Sequence, residues 1–302
     1  MIGGTDISAI LGMNPWRSAH DVYLKQIGEA PEIEQTDRMA WGLILETPIS
    51  AEYQRRHQEY LVLPHEKIKH QHLNYIGGSP DRVCKVGLDI VRGLEIKTAG
   101  WKDDQWGDDG TDEIPPHYLM QCVWYGGLFN GLDCDVAALF GGSEYHEYSI
   151  KFDSELWNMM VEAAVKFHAD HVQKRIPPEA TSTDMTRNWI KRKYAKNTLP
   201  LKHATSNEEV LISEYRHMKT LAEDHAKEVE NLKIKLQLAI GDCDGLEFPQ
   251  GKITWKKNKD SLKVDWESLA KELKPSEQQI VNYTKTKEGA RVFKLTTKKG
   301  EE

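Results

Sequence analysis

Only four cysteines occur in the 302 residues, Cys84, Cys122, Cys134 and Cys243, and no two are spaced as C-x-x-C. That argues against a disulfide framework and against a zinc or iron–sulfur site built from thiolates alone. In a reducing compartment such cysteines are expected to behave as small buried apolar residues. Long apolar runs are also missing. Nothing approaches the roughly 18 residues of a membrane span, and no membrane role is expected. The segment Met1-Ile2-Gly3-Gly4-Thr5-Asp6 lacks a basic region followed by an apolar stretch, so it does not read as a secretory signal. A cytoplasmic protein is the expectation. An overall basic excess is absent too: the formal net charge is −7. A chain that coats nucleic acid with its whole surface is therefore disfavoured.

The charge that is present is uneven. Between Thr186 and His203 lie Arg187, Lys191, Arg192, Lys193, Lys196 and Lys202, with no acid among them. Basic residues also outnumber acids from Leu246 to the end. A mostly acidic body with local basic stripes suits a protein that grips DNA in one channel.

Hydrophobic periodicity and stop signals outline the elements. Thr5 to Gly12 predicts a short helix with a Thr cap and a Gly stop, and Ser18 to Ile27 another, closed by Gly28. Asp37 to His57 reads as a third helix that Pro48 kinks or breaks. Residues 67–76 are mixed, while 81–86 and 88–97 read as strands. Trp101 to Pro116 is a long polar loop. Tyr118 to Phe129 predicts a helix, Asp135 to Phe140 a buried strand, and Tyr145 to Phe152 its hairpin partner. Asp153 caps a helix running to about Gln173. The expected class is α/β (α+β), a mixed central sheet flanked by helices. The expected domains are a core at 1–175, a basic linker or lid at 176–205, and a C-terminal long helix plus small α+β extension at 206–302. In that extension Asn207 to Ile240 forms one helix. Its seam runs Leu211, Tyr215, Met218, Ala222, His225, Val229, Leu232, Leu236 and Ala239, a heptad pattern broken only by His225. It is a packing surface within the subunit, for instance against residues 156–167, or between subunits. Lys252 to Lys256 and Arg291 to Thr296 read as strands, with Val264 to Leu273 helical between them.

The stretch most charged with chemistry is Gly77-Gly78-Ser79-Pro80-Asp81 followed by Gly93-Leu94-Glu95-Ile96-Lys97. Side chains alternate along a strand, so Glu95 and Lys97 share a face. A hairpin would bring Asp81 beside them. Two converging carboxylates form a hard-oxygen site suited to Mg²⁺, which shares its coordination with water and substrate phosphate. The Ile96 carbonyl can add another oxygen. Such a metal acidifies water and neutralises phosphate charge, and Lys97 can stabilise developing negative charge. The competing reading is a surface hairpin with ordinary charges. Against it, Glu-x-Lys closes an otherwise apolar strand, where unpaired charge is costly.

These motifs resemble the PD-(D/E)-x-K nuclease superfamily and, within it, the YqaJ-type viral recombinase family, whose members are like phage lambda exonuclease. The resemblance covers roughly residues 2–175. It rests on Gly3-Gly4-Thr5-Asp6-Ile7, Trp41-Gly42 with Glu46, Ser79-Pro80-Asp81, Leu94-Glu95-Ile96-Lys97, and Tyr118-Leu119-Met120-Gln121. It implies a restriction-endonuclease-like fold. It implies that Asp81, Glu95 and the Ile96 carbonyl bind Mg²⁺, with Mn²⁺ able to substitute, and that Glu46 contributes directly or through water. Lys97 and Gln121 would orient the attacking water, and Thr5 would sit near the terminal phosphate. For Glu46, Gln121 and Thr5 the plainer alternatives are a solvated helix acid, a local backbone cap and a helix N-cap. Family members often carry an Arg several residues before Gly-Gly-Thr. Either a segment carrying that Arg precedes Met1, or Arg17, Arg38 or a basic residue of 187–196 takes its place.

The resemblance further implies 5′→3′ degradation of one strand of linear double-stranded DNA, leaving a 3′ overhang for a single-strand annealing protein. It also implies a homo-oligomeric ring, and a phage or prophage gene acting in a bacterial host. Arg187, Lys191, Arg192 and Lys193, interleaved with Trp189 and Tyr194, are candidate DNA contacts or a flexible charged linker. Trp101 and Trp106 would stack on bases or pack on the body. The acids Asp103, Asp104, Asp108, Asp109, Asp112 and Glu113 read as solvated or as recruiting a further metal, and His70 with His72 as a weak metal pair or surface histidines. Two rival functions stay open: an endonuclease of the same superfamily, and a catalytically silent DNA-binding recombination scaffold.

Overall fold

In chain order the helices and strands of the computed structural model are α1 (Gly4–Ile10), α2 (Ala19–Gln26), α3 (Asp37–Arg56), β1 (Leu61–Leu63), β2 (Ile68–Lys69), β3 (Gly77–Gly78), β4 (Arg82–Val86), β5 (Asp89–Ala99), α4 (Pro116–Leu128), β6 (Cys134–Phe140), β7 (Glu144–Ile150), α5 (Ser154–Phe167), α6 (Asp184–Lys193), α7 (Ser206–Ile240), β8 (Gly245–Phe248), β9 (Gly251–Thr254), α8 (Trp266–Leu273) and α9 (Glu277–Tyr283). The structure describes residues 1–32, 34–196, 199–285 and 293. Two compact units are present, Met1–Ala195 and Lys196–Glu302.

A five-stranded mixed sheet ordered β1-β4-β5-β6-β7 organises the first unit. Only the β5–β6 pair is parallel, because α4 lies between them and supplies the crossover a parallel pair requires. Strand alternation sorts side chains onto two faces. Leu94, Ile96 and Ala137 bury with Ile49 and Tyr53 of α3. Val136, Ala138 and Phe140 bury with residues of α1, α2, α4 and α5. Glu95 and Lys97 alternate with Leu94 and Ile96, so they face the α4 side. The sheet is thus covered by helices on both faces.

A buried polar cluster ties α3 to the sheet. Tyr53 donates its hydroxyl to Asp135 Oδ2 at 2.5 Å, and Arg92 donates to the other oxygen of Asp135 and to Ser149. Burial, reinforced by the Asp135 charge, drives the Tyr53 phenol far above its ordinary pKa. An acid inside the apolar run Asp135–Phe140 was the sequence signal for this cluster, and the sequence reading passed over it.

The structure departs from the sequence expectations at several elements. α1 begins at Gly4 with Gly3 as its N-cap residue, so Thr5 lies inside the helix and does not cap it; Asp6 performs the capping, accepting from Gly3 N at 3.0 Å. α3 runs unbroken through Pro48. The missing amide costs one hydrogen bond, and burial of Ile49 and Tyr53 in the next turn holds the rest. The basic stretch is not wholly a loop: α6 forms within it, capped by Thr183. Asp21, buried on α2, accepts from Thr183 Oγ1 at 2.7 Å and Thr186 Oγ1 at 2.9 Å, pinning α6 down. Cys84, Cys122 and Cys134 are buried, but Cys243 is exposed. The helix after Asp153 does reach Gln173, its final stretch opening into π-helical turns.

In the second unit, α7 is a single 35-residue helix. Thr205 and Glu208 form a reciprocal cap at its start. β8 and β9 pair as a hairpin. The expected strand at Arg291–Thr296 lies outside the described residues except for Phe293. Among the described residues no helix is long and apolar enough to cross a membrane.

Candidate active site

Asp81 sits at the mouth of β4, and the reason is local crowding. The two glycines before it fit where no side chain could. A Cβ on Gly77 would lie 2.4 Å from the Ile68 carbonyl oxygen, and one on Gly78 would lie 2.6 Å from the Tyr125 ring. Trp124 Nε1 donates to Gly77 O at 2.9 Å, binding this turn to α4. Ser79-Pro80 then leads into β4, whose pairing of Arg82 with Leu94 sets Asp81 beside Glu95. Asp81 Oδ2 accepts from the Ile96 backbone N–H at 2.8 Å.

Glu95 is 1% exposed. One carboxylate oxygen, Oε1, accepts from Lys97 Nζ at 2.5 Å and from Gln121 Nε2 at 2.6 Å. The other oxygen, Oε2, is buried and has no hydrogen-bond partner. Such an orphan is rare in a folded protein and calls for an explanation. Gln121 is itself held, donating also to Tyr125 OH at 3.2 Å, while Lys97 lies 3.4 Å from Gln121 Oε1 and 4.7 Å above the Tyr118 ring.

Electrostatics follow from burial. Desolvation pushes the Glu95 carboxyl up to about 8, against the pull of Lys97, and the Asp81 charge adds to the rise. For Lys97, burial favours the neutral form, but Glu95 and Asp81 more than offset it, so the ammonium is held above its usual pKa. Glu46, on α3, lines the same cleft as Asp81, Glu95, Ile96 and Lys97. Burial and the Asp81 charge raise its pKa, and Arg82 Nη1 stands 3.6 Å from its carboxylate.

The residues present fit a divalent cation in one specific respect: Glu95 offers an unpaired carboxylate oxygen beside the Asp81 carboxylate, with Glu46 across the cleft. Among the described residues no group of three or more His, Cys, Asp or Glu side chains forms a ready-made metal cluster. Water, phosphate and the Ile96 carbonyl would have to complete any coordination.

The structure therefore brings Asp81, Glu95, Ile96, Lys97, Gln121 and Glu46 together. Thr5 is at the margin. Its neighbour Gly4 packs on Gln121 so tightly that an added Cβ would lie 2.9 Å from Gln121 Cγ, yet the Thr5 side chain is exposed. The four basic candidates ride on α6 and do not enter the cleft. Arg187 donates to Asp184 and to Ser182 O, and Lys193 pairs with Glu29 at 3.1 Å. Arg187 does line a cavity of about 570 Å³ whose wall, Asn14 to Trp16, also borders the cavity next to Lys97.

That second cavity, about 550 Å³, is lined by Trp16, Arg38, Lys97, Trp101, His117 and Tyr118 among others. Trp16 and Trp101 are 64% and 76% exposed, whereas Trp106 is buried against Phe140 and Tyr148. The two tryptophans of the polar loop thus divide between an open wall and the core. His117 is buried with Nε2 unpartnered, and burial with the nearby Lys97 charge lowers its pKa to about 4. The sequence reading missed Tyr125, His117, Arg82 and Trp16. Tyr125 was findable, lying one helical turn beyond Gln121. His70 Nδ1 accepts from the backbone of His72 and Leu73 and so organises a turn. Asp109 accepts from Glu147 N at 2.7 Å.

Residues 1–126 match the family of the YqaJ-like viral recombinase domain. The resemblance read from the ordered motifs is borne out by this match. The uncharacterized protein YqaJ of Bacillus subtilis (strain 168) is 28% identical over 287 residues, covering 90% of this chain and 88% of its own. Among solved structures, an alkaline exonuclease from Laribacter hongkongensis shares 18% identity with a TM-score of 0.46, covering 64% of this chain and 93% of that one. A phage-related exonuclease from Haemophilus somnus 129PT shares 11% identity with a TM-score of 0.42, covering 58% of this chain and 96% of that one.

Proposed function

We propose that this chain is a divalent-metal-dependent nuclease that hydrolyses one strand of linear double-stranded DNA from its end. The observation that carries the reading is the buried Glu95 carboxylate, fixed through one oxygen by Lys97 and Gln121 while the other has no partner. A buried oxygen kept unpaired is expensive unless something binds it. Asp81, Glu95, the Ile96 carbonyl and Glu46 would hold Mg²⁺, with Mn²⁺ as a substitute. When bound, the ion would supply neutralisation of phosphate charge and a lowered pKa for a nearby water.

The chain's own groups do the rest. Lys97, kept charged by the carboxylates around it, offers its ammonium to the scissile phosphate and to water. Gln121 orients Glu95 and is itself oriented by Tyr125. The cavity beside Lys97, with exposed Trp16 and Trp101 and neutral His117, suits an unstacked terminal nucleotide, since aromatic faces stack bases of any identity. Arg38 borders that cavity and is the better candidate for a terminal 5′ phosphate. Arg17 is already engaged with Asp6 at 3.1 Å. The 5′→3′ direction, the ring-shaped oligomer, the annealing partner for the 3′ overhang and the phage-derived cytoplasmic setting rest on the family resemblance. Arg187, Lys191, Arg192 and Lys193 on α6, and Thr5 on α1, are proposed as outlying DNA contacts.

The test is acid-soluble nucleotide release from blunt linear duplex with Mg²⁺, compared with closed circular DNA. Release from the linear form alone, abolished in Glu95→Gln, is expected. Nicking of the circle would instead favour an endonuclease. Duplex binding with no metal-dependent product would favour a silent scaffold.

A further inference from the structure

The seam of α7 carries large apolar side chains in solvent, apart from Tyr215, whose ring meets that of Phe293 edge-on at 5.5 Å. Leu211, Met218, Val229 and Leu232 are 62%, 63%, 64% and 58% exposed. Apolar surface of that extent, repeated at 4-3 spacing over four heptads, marks a contact surface. The flanking charges say which partner it fits. With Tyr215, Ala222, Val229 and Leu236 at the a positions and Leu211, Met218, His225 and Leu232 at d, the residues at e are Ile212, Lys219, Ala226, Lys233 and Ile240. Those at g are Glu214, Leu221, Glu228 and Lys235.

In a parallel pair of identical helices, each g residue meets the e residue five positions later on the partner helix. Glu214 then meets Lys219, and Glu228 meets Lys233. Leu221 meets Ala226, apolar against apolar. In an antiparallel pair e faces e, and no e position holds an acid, so neither lysine finds a counter-charge. The weak intrahelical pairs that Lys219 and Lys233 make, at 3.8 Å to Glu223 and 3.2 Å to Glu230, lie on the exposed surface and are readily shared.

We infer that α7 is a self-association helix, which pairs in parallel and in register with α7 of a second copy of this chain. His225, at a d position, is the one polar residue of the seam, and burying it against its counterpart costs stability unless the two copies align in register.

The experiment reads α7 directly, so an additional oligomer formed by the nuclease core would not obscure it. In the full chain, Cys243→Ser removes the exposed thiol. Met218→Cys then places a thiol on the seam, and Thr220→Cys places one on the outer face as control. Under mild oxidation the position-218 thiols should link into a covalent dimer at least about tenfold faster than those at 220, because a parallel pair holds them side by side at high effective concentration. Lys219→Glu with Lys233→Glu should slow that linking, as should Glu214→Lys with Glu228→Lys. Mixing the two charge-reversed proteins should restore it between unlike chains. Equal rates at 218 and 220 would overturn the inference and leave the seam to another segment or partner. So would linking that ignores charge reversal.

Discussion

Gly77→Ala tests how the turn before Asp81 is built. The new methyl group would lie 2.4 Å from the Ile68 carbonyl oxygen and 3.3 Å from Lys69 Cα, both backbone atoms, and 2.5 Å from the movable Met1 sulfur. Met1 can swing away, but the backbone contacts cannot relax without parting β2 from β3, which pair Ile68 with Gly78 and Lys69 with Gly77. The same residue bonds Ile2 O through its N–H at 3.0 Å and Trp124 through its carbonyl, so any shift strains contacts on two further sides. Overpacking of this kind costs about 1–3 kcal/mol. For a folding unit the size of Met1–Ala195 that is roughly 2–12 °C in Tm. Asp81 lies four residues on, and displacement of a reacting group by 1 Å can cost about 100-fold in rate. The variant should therefore lose both stability and DNA hydrolysis. Gly100→Ala, where an added Cβ meets nothing within 4 Å, serves as the thermal control. Differential scanning calorimetry and a nucleotide-release assay read the two effects. A Gly77→Ala protein that melts and cleaves like the parent would refute the argument that close packing at this turn places Asp81.

Glu95→Gln should lower metal-dependent hydrolysis more than about 100-fold, since removing outer partners of metal ligands alone costs 10–100-fold; circular dichroism should show the variant folded. Tyr53→Phe should destabilise the first unit by about 1–3 kcal/mol, because the buried Asp135 Oδ2 loses its hydroxyl donor, and urea unfolding measures the loss. His57, 2.7 Å from Glu147 Oε2 and stacked on Tyr53, feels burial lowering its pKa, but Glu147 and then Glu59 outweigh it and the net shift is upward. A raised folded-state pKa gives stability that is full below the ordinary histidine value, near 6.5, and lost as pH climbs through the folded value. The Tm of His57→Gln should accordingly converge on that of the parent on the alkaline side of that window and fall below it on the acid side; a constant gap across pH would reject the linkage.

Some of this protein was determined by the sequence alone. The run Gly77 to Asp81 and the strand Glu95 to Lys97 place an acid and a lysine on one strand face beside a second acid, because strand alternation is a local rule. The 4-3 spacing of α7 likewise follows from residue order alone. Tertiary structure decided what local rules cannot reach. Gln121 and Tyr125 come from a helix 26 residues beyond Glu95 in the case of Gln121, and only the β5–α4–β6 crossover sets them against it. α1 starts one residue earlier than a Thr5 cap would set it, with Asp6 accepting from Gly3 N and Gly4 abutting Gln121. The basic stretch became a docked helix because Asp21, buried on α2, needed the hydroxyls of Thr183 and Thr186. In each case a buried polar group or a close approach between distant segments outweighed local propensity, since leaving such a group unpaired costs more than a cap or a turn contributes.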